Sequence, residues 1–197
     1  MIGSHNTMTY LKAKSKLWEM IKGYWRCQDK TLDEQIAMGV RWFDIRVVYN
    51  VGANSHGSLW RFAHGAIDLK SDFSLHDVLD KIESCGGYVR IMLERGDKYD
   101  EELFKQYFDI NRVLDKWPCI VGAVIKHEWR VLWSRSLGVG MRDCSYVPYK
   151  RDTVWWKQIW SIIPFPFKSI KSRAKANKKD FESHKKDNKM IYVYDYV

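Results

Sequence analysis

Residues 40–48, Val-Arg-Trp-Phe-Asp-Ile-Arg-Val-Val, constrain the fold more than any other stretch of this chain. β-Branched and aromatic side chains dominate the run, so it reads as a strand. Alternation puts Trp42, Asp44 and Arg46 on one face and Phe43, Ile45 and Val47 on the other. The strand therefore ends with charge on one side only. Before it, Thr31-Leu32-Asp33-Glu34 is a capping box that starts a short helix, ended near Gly39. After it, Ser74-Leu75-His76-Asp77 caps a second helix with Leu75, Val78, Leu79 and Ile82 on one stripe, and Gly86-Gly87 ends it. Tyr88–Glu94 reads as another strand, and a helical stretch is expected from Asp100 to about Leu114, carrying Leu103, Phe104, Tyr107 and Phe108. Strand, helix, strand, helix is the rhythm of a parallel α/β protein.

The second half is less regular. Apolar runs at Cys119–Ile125 and Trp129–Trp133 have no clean helix between them; a Gly138-Val139-Gly140 turn and a last strand-like run at Met190–Val197 follow. With Met1–His5, Trp60–Ala63 and a doubtful strand near Cys144–Val147, the count is about eight. The economical fold is α/β, a small, irregular TIM-type (β/α) barrel forming one domain over residues 1–197. At 197 residues the chain is short for that fold, which typically needs about 250, so helices are expected to be shrunken or missing in the second half.

Composition narrows the class. With 46% hydrophobic residues, 4 prolines and 12 glycines, the chain is neither collagen-like nor disordered. Its longest apolar run, around Pro118–Ile125, is far short of the roughly 20 residues of a membrane span. The first residues lack the basic start and apolar stretch of a secretory signal, so the expectation is a chain that works inside a cell or one whose leader lies upstream. The four cysteines, Cys27, Cys85, Cys119 and Cys144, contain no C-x-x-C pair and read as reduced, partly buried thiols. A net charge of +9 calls for an anionic partner, whether nucleic acid, anionic membrane or a phosphate-bearing substrate.

Three polar clusters fall at strand ends: His5-Asn6, Asp44 with Arg46, and His64. In a parallel barrel such ends gather on one face, where catalytic groups of this fold sit. One neutral imidazole can take a proton from a hydroxyl, a second can protonate a leaving oxygen, and a guanidinium can hold a phosphate. That set suits cleavage of a phosphodiester by an internal hydroxyl. His56, His76, His127 and His184 read instead as surface or satisfied core residues.

Ile2-Gly3-Ser4-His5-Asn6-Thr7, Gln35–Arg46 (QIAMGVRWFDIR) and Phe62-Ala63-His64-Gly65, in this order and approximate spacing, resemble the catalytic X region of phosphatidylinositol-specific phospholipase C. The resemblance covers residues 2 to about 95, with Met190–Val197 similar to the family's closing strand. It implies a distorted TIM barrel and phosphodiester cleavage of a phospholipid through a cyclic inositol phosphate. His5 then matches the general base, His64 the general acid, and Arg46 the arginine that stabilises phosphate in the metal-independent bacterial branch. Asp44 matches the acid supporting that arginine. Asp195 is the candidate for orienting His5, with a loop-capping aspartate as the alternative. Asn6, Glu94 and Arg135 are candidate substrate contacts. The calcium-dependent branch is the alternative, in which Asn6, Asp44 and Glu94 would hold the ion; arginine at position 46 argues for no metal. An inactive phospholipid-binding module on the same scaffold is the alternative to an enzyme.

Residues 154–189 differ from the rest. Trp155, Trp156, Ile159, Trp160, Ile162 and Ile163 precede a basic run, Lys168–Lys189, that nets +6. Aromatics followed by Lys and Arg suit peripheral contact with an anionic membrane carrying the substrate. A helix packed on the barrel gives the same Trp156, Ile159, Trp160 and Ile163 spacing, and a basic run can be a solvated face. No nucleic-acid motif is present, so nucleic acid is not expected as a partner, and a monomer is.

Overall fold

Strand pairing places the charged face of residues 40–48 along the concave side of one curled sheet. A computed structural model describes residues 1–51, 59–143 and 190–195. Its elements in chain order are β1 (Ile2–Ser4), α1 (Lys16–Met20), α2 (Leu32–Ala37), β2 (Val40–Tyr49), β3 (Trp60–His64), β4 (Ile67–Asp68), α3 (Leu75–Ser84), β5 (Tyr88–Leu93), α4 (Lys98–Tyr107), α5 (Ile110–Lys116), β6 (Ile120–Ile125), β7 (Arg130–Ser134), β8 (Gly140–Asp143) and β9 (Met190–Tyr194). The sheet runs β7-β6-β5-β2-β1-β9-β8, with β3 added to β2 and β4 to β3.

Pairs β1–β2, β1–β9, β2–β5, β5–β6 and β8–β9 are parallel. The carboxyl ends of β1, β2, β5, β6 and β9 therefore share one edge. The result is a curled half-barrel of TIM-like kind, open between β7 and β8 among the described residues. Three pairs are antiparallel, β2–β3, β3–β4 and β6–β7, which a regular (β/α) repeat does not contain. The absence of a helix between β6 and β7 is the reason there: a short turn can join only antiparallel neighbours.

Both capping boxes form. The Thr31 and Ser74 hydroxyls accept from the backbone N–H groups of Glu34 and Asp77, whose carboxylates accept in return. On the convex side, Phe43, Ile45 and Val47 pack with Val89, Ile91 and Leu93 against Leu75, Val78, Leu79 and Ile82 of α3. The expected single helix from Asp100 to Leu114 is two. It starts earlier, capped by Asp97, and breaks after Tyr107 because the Asp109 carboxylate takes the Asn111 N–H and begins a new helix. No helix among the described residues is long and apolar enough to cross a membrane. Cys27, Cys85 and Cys119 are unbridged, whereas Cys144, His56, His184, the doubtful strand at 144–147, Trp155, Trp156, Trp160 and the basic 168–189 run lie outside the described residues.

Candidate active site

At the shared carboxyl edge, β1 delivers His5 and Asn6, β2 delivers Asp44 and Arg46, and the residues just after β5, β6 and β9 are Glu94, Lys126 and Asp195. His64 arrives by a different route from the one expected. β3 folds back antiparallel on β2, from Tyr49↔Trp60 to Val47↔Phe62, so its last residue, His64, runs back along β2 past the level of Arg46.

The backbone around His5 is fixed by buried polar side chains. Its N–H donates to Tyr194 O at 2.9 Å, and Gln28 Nε2 donates to both His5 O and Tyr194 O at 2.9 Å, tying β1 to β9. Thr9 Oγ1 accepts from the N–H groups of Cys27 and Gln28, which holds that loop beneath the site. Asn6 sits at φ 48°, ψ 52°, a left-handed conformation that asparagine tolerates better than most residues. This twist sends its N–H to Asp44 Oδ2 at 3.3 Å and its amide between the two histidines.

The His5 ring lies between an anion and a cation. Nδ1 is 2.7 Å from Asp195 Oδ1, and Nε2 is 2.9 Å from Arg46 Nη2. A guanidinium only donates, so Nε2 accepts and the ring proton sits on Nδ1 facing Asp195. The lone pair is thereby aimed at the group that would hold a phosphate. Across the site the Asn6 amide nitrogen lies 3.4 Å from His5 Nε2 and 3.2 Å from His64 Nε2, so one side chain spans both rings. Asn6 Oδ1 and His64 Nδ1 are buried without partners among the described residues.

Arg46 is the hub. Asp44 Oδ2 accepts from its Nε and Nη2 at 3.2 and 3.1 Å, and Glu94 Oε2 accepts from Nη1 at 3.3 Å. Asp44 Oδ1 accepts twice from Arg90, at 3.2 Å each, and Arg90 stacks over Trp42. Glu94 Oε1 accepts from the Gly65 N–H at 2.6 Å and from Lys126. Burial pushes the Asp44 carboxyl up, but Arg46 and Arg90 outweigh it and hold the group well below the usual carboxylate range. Glu94 is lowered likewise, with Arg46 and Lys126 overcoming its burial. Burial and then Arg46 drop His64 to about 4, so the ring is neutral at pH 7 before an anion arrives.

Calcium does not fit the Asn6, Asp44 and Glu94 set. Arg46 bridges the two carboxylates, while Arg90 and Lys126 occupy their other oxygens, so the pocket between them is already cationic. Arg135 is a correction to the sequence reading. Because β7 runs antiparallel, its N–H meets Val121 O near the start of β6, at the end opposite Lys126, and its guanidinium donates to Pro118 O rather than to a group of the site. Sequence reasoning also missed Cys27, Gln28, Arg90 and Lys126. Arg90 was detectable as the inward position of the Tyr88–Glu94 alternation, whereas Cys27 and Gln28 carry no local signal.

No protein-family model matches the chain, and no curated protein does. Among solved structures, the whole chain is similar to the phosphatidylinositol-specific phospholipase C of Listeria monocytogenes, covering 87% of that chain at 15% identity with a TM-score of 0.56. Two variants of the Staphylococcus aureus phosphatidylinositol-specific phospholipase C are similar over 85% of their length, at 16% identity with a TM-score of 0.56 and at 13% with 0.57. The fold is the TIM-barrel-like α/β fold of these proteins.

Proposed function

We propose that this chain is a phosphodiesterase of the phospholipase C type, which cleaves a phospholipid headgroup by intramolecular attack and releases a cyclic phosphate. The observation that carries the reading is the His5 ring, its Nδ1–H held by Asp195 and its Nε2 lone pair facing Arg46. His5 Nε2 takes the proton of a headgroup hydroxyl as that oxygen bonds to phosphorus. Asp195 stabilises the imidazolium that forms. Arg46, anchored by Asp44, donates to the non-bridging oxygens where negative charge builds. His64 protonates the lipid oxygen as its bond to phosphorus breaks. Turning the Asn6 amide end for end lets its oxygen accept from His64 Nε2–H, the tautomer an acid at that atom requires.

The chemistry needs no metal, since a guanidinium occupies the place between the carboxylates. The neighbours are named phosphatidylinositol-specific, which makes phosphatidylinositol the first substrate to test. Presentation at a membrane surface through Trp155, Trp156, Trp160 and the 168–189 run belongs to the same reading.

Phosphorus NMR with phosphatidylinositol micelles in EDTA should show a five-membered cyclic phosphate. His64→Ala should lower turnover of the natural lipid by about 100- to 10,000-fold. The same variant should lose far less with an activated aryl leaving group. Equal losses on both substrates would remove His64 from the acid role. No product with any headgroup, together with vesicle binding that survives His5→Ala and His64→Ala, would establish the binding-module alternative.

A further inference from the structure

The catalytic reading leaves Cys27 unused, although the fold places it against His5. One ring nitrogen of His5, Cys27 Sγ and an Asp195 carboxylate oxygen all lie within 4.8 Å of one another. Cys27 is 3% exposed and Asp195 2%. A borderline-soft dication is bound by this donor set of imidazole, thiolate and carboxylate, with donors about 3 to 4 Å apart around a tetrahedral ion. Reaching that spacing takes side-chain shifts of about an ångström. A second observation points the same way. Asn6 is 3% exposed, its amide nitrogen is 3.3 Å from Cys27 Sγ and 3.4 Å from His5 Nδ1, and its Oδ1 has no partner among the described residues. The end of the buried amide that faces the cluster is its nitrogen; turned end for end, as the acid role of His64 asks, the same amide sets its oxygen against Cys27 Sγ and His5 Nδ1, in reach of an ion held there. The His5 side chain, 19% exposed, is the route by which an ion enters.

We propose that His5, Cys27 and Asp195 form a binding site for a soft divalent cation of the zinc type, and that occupancy shuts off His5 as a base. The second clause rests on the proposed function; the first does not. Binding balances as follows: the Cys27 thiol loses its proton to solvent, the ion takes the place of the hydrogen between His5 Nδ1 and Asp195, and the ring proton moves to Nε2. The lone pair that would accept the substrate's proton is then gone. Nε2–H and the Arg46 N–H cannot face each other at 2.9 Å, so Arg46 is displaced as well.

The test uses the whole chain, stripped with EDTA and dialysed. Titration with Co²⁺ should give a thiolate-to-cobalt charge-transfer band at one ion per chain, absent in Cys27→Ser and Cys27→Ala. Calorimetry with Zn²⁺ should show proton release on binding. Cys27→Ser, checked for native circular dichroism, should bind zinc more weakly by at least the roughly 10–100-fold that even a supporting partner is worth. Glu101→Gln, in the separate group Glu101, His127 and Glu128, should leave binding intact. No band, equal zinc affinity in Cys27→Ser, or loss of binding in Glu101→Gln instead would overturn the site. Turnover with zinc divided by turnover without it should fall in the native chain and stay near one in Cys27→Ser. A ratio that falls equally in both overturns the inhibitory role. If neither chain turns over any substrate, the catalytic reading fails while the cobalt spectrum still decides the site.

Discussion

At the residue scale, the site is a contest between burial and charge in which different groups end on different sides. Asp44 and Glu94 stay anionic because each meets two cations, Arg46 with Arg90 or Lys126. His64 meets the same cation with no adequate anion, so burial and Arg46 together hold it near 4. A phosphodiester brings the missing negative charge beside Arg46 and should load the proton onto His64. kcat/KM reports free enzyme and kcat the substrate complex. The limb assigned to the acid should therefore lie at lower pH in the kcat/KM profile than in the kcat profile, and His64→Ala should remove it from both. Coincident limbs would show that substrate does not recharge His64. The types of these residues were readable at positions 5, 44, 46 and 64. Their protonation was not, because it depends on Glu94 and Lys126 arriving from other strands.

At the element scale, α3 is positioned by its Leu75, Val78, Leu79 and Ile82 stripe and by the turn that follows it. A Cβ on Gly87 would come within 2.8 Å of Ile82 Cγ2 and 2.9 Å of Phe43 Cε2, so β5 can approach β2 and α3 only with glycine there. Gly87→Ala should destabilise the chain by roughly 1–3 kcal/mol through overpacking. Leu79→Ala should cost roughly 2–5 kcal/mol through the cavity it leaves. Denaturant unfolding of both variants measures this, and an unchanged midpoint in Gly87→Ala would mean that β5 and α3 can separate freely. Capping boxes and the helical stripe were visible in the sequence because the first close within four residues and the second within eight. The break at Asp109 was missed because capping and continued helix compete there, and the Trp133 indole N–H donating to Phe108 O, 25 residues away, lies outside any local window.

For the whole molecule, buried ionisable groups make acid the vulnerable direction. His64 titrates near 4 when folded and near 6.5 when unfolded, so between those values the unfolded chain binds the extra proton and stability falls as pH falls. The loss from this group is about 3 kcal/mol at most. Asp44 and Glu94, both lowered, add losses of the same sign, beginning near their unfolded range and continuing as pH drops through their folded values. Unfolding free energy measured from pH 7 to 4 should decline in the native chain. The decline between 6.5 and 4 should be shallower in His64→Gln, and parallel curves would show that the ring is not buried as neutral imidazole.

The sequence by itself determined the elements that close over short distances: a strand with charge on one face at 40–48, two capped helices, and the polar groups at 5, 44, 46 and 64. Local hydrogen bonds and side-chain period settle these without reference to the rest of the chain. Only the tertiary structure decided that β3 folds back to deliver His64, that β7 reverses and carries Arg135 to the far end, and that β9 sets Asp195 beside His5 across 190 residues of chain. Those placements follow from strand order and register, which arise from packing two faces of one curled sheet at once, and no window of neighbouring residues contains that information.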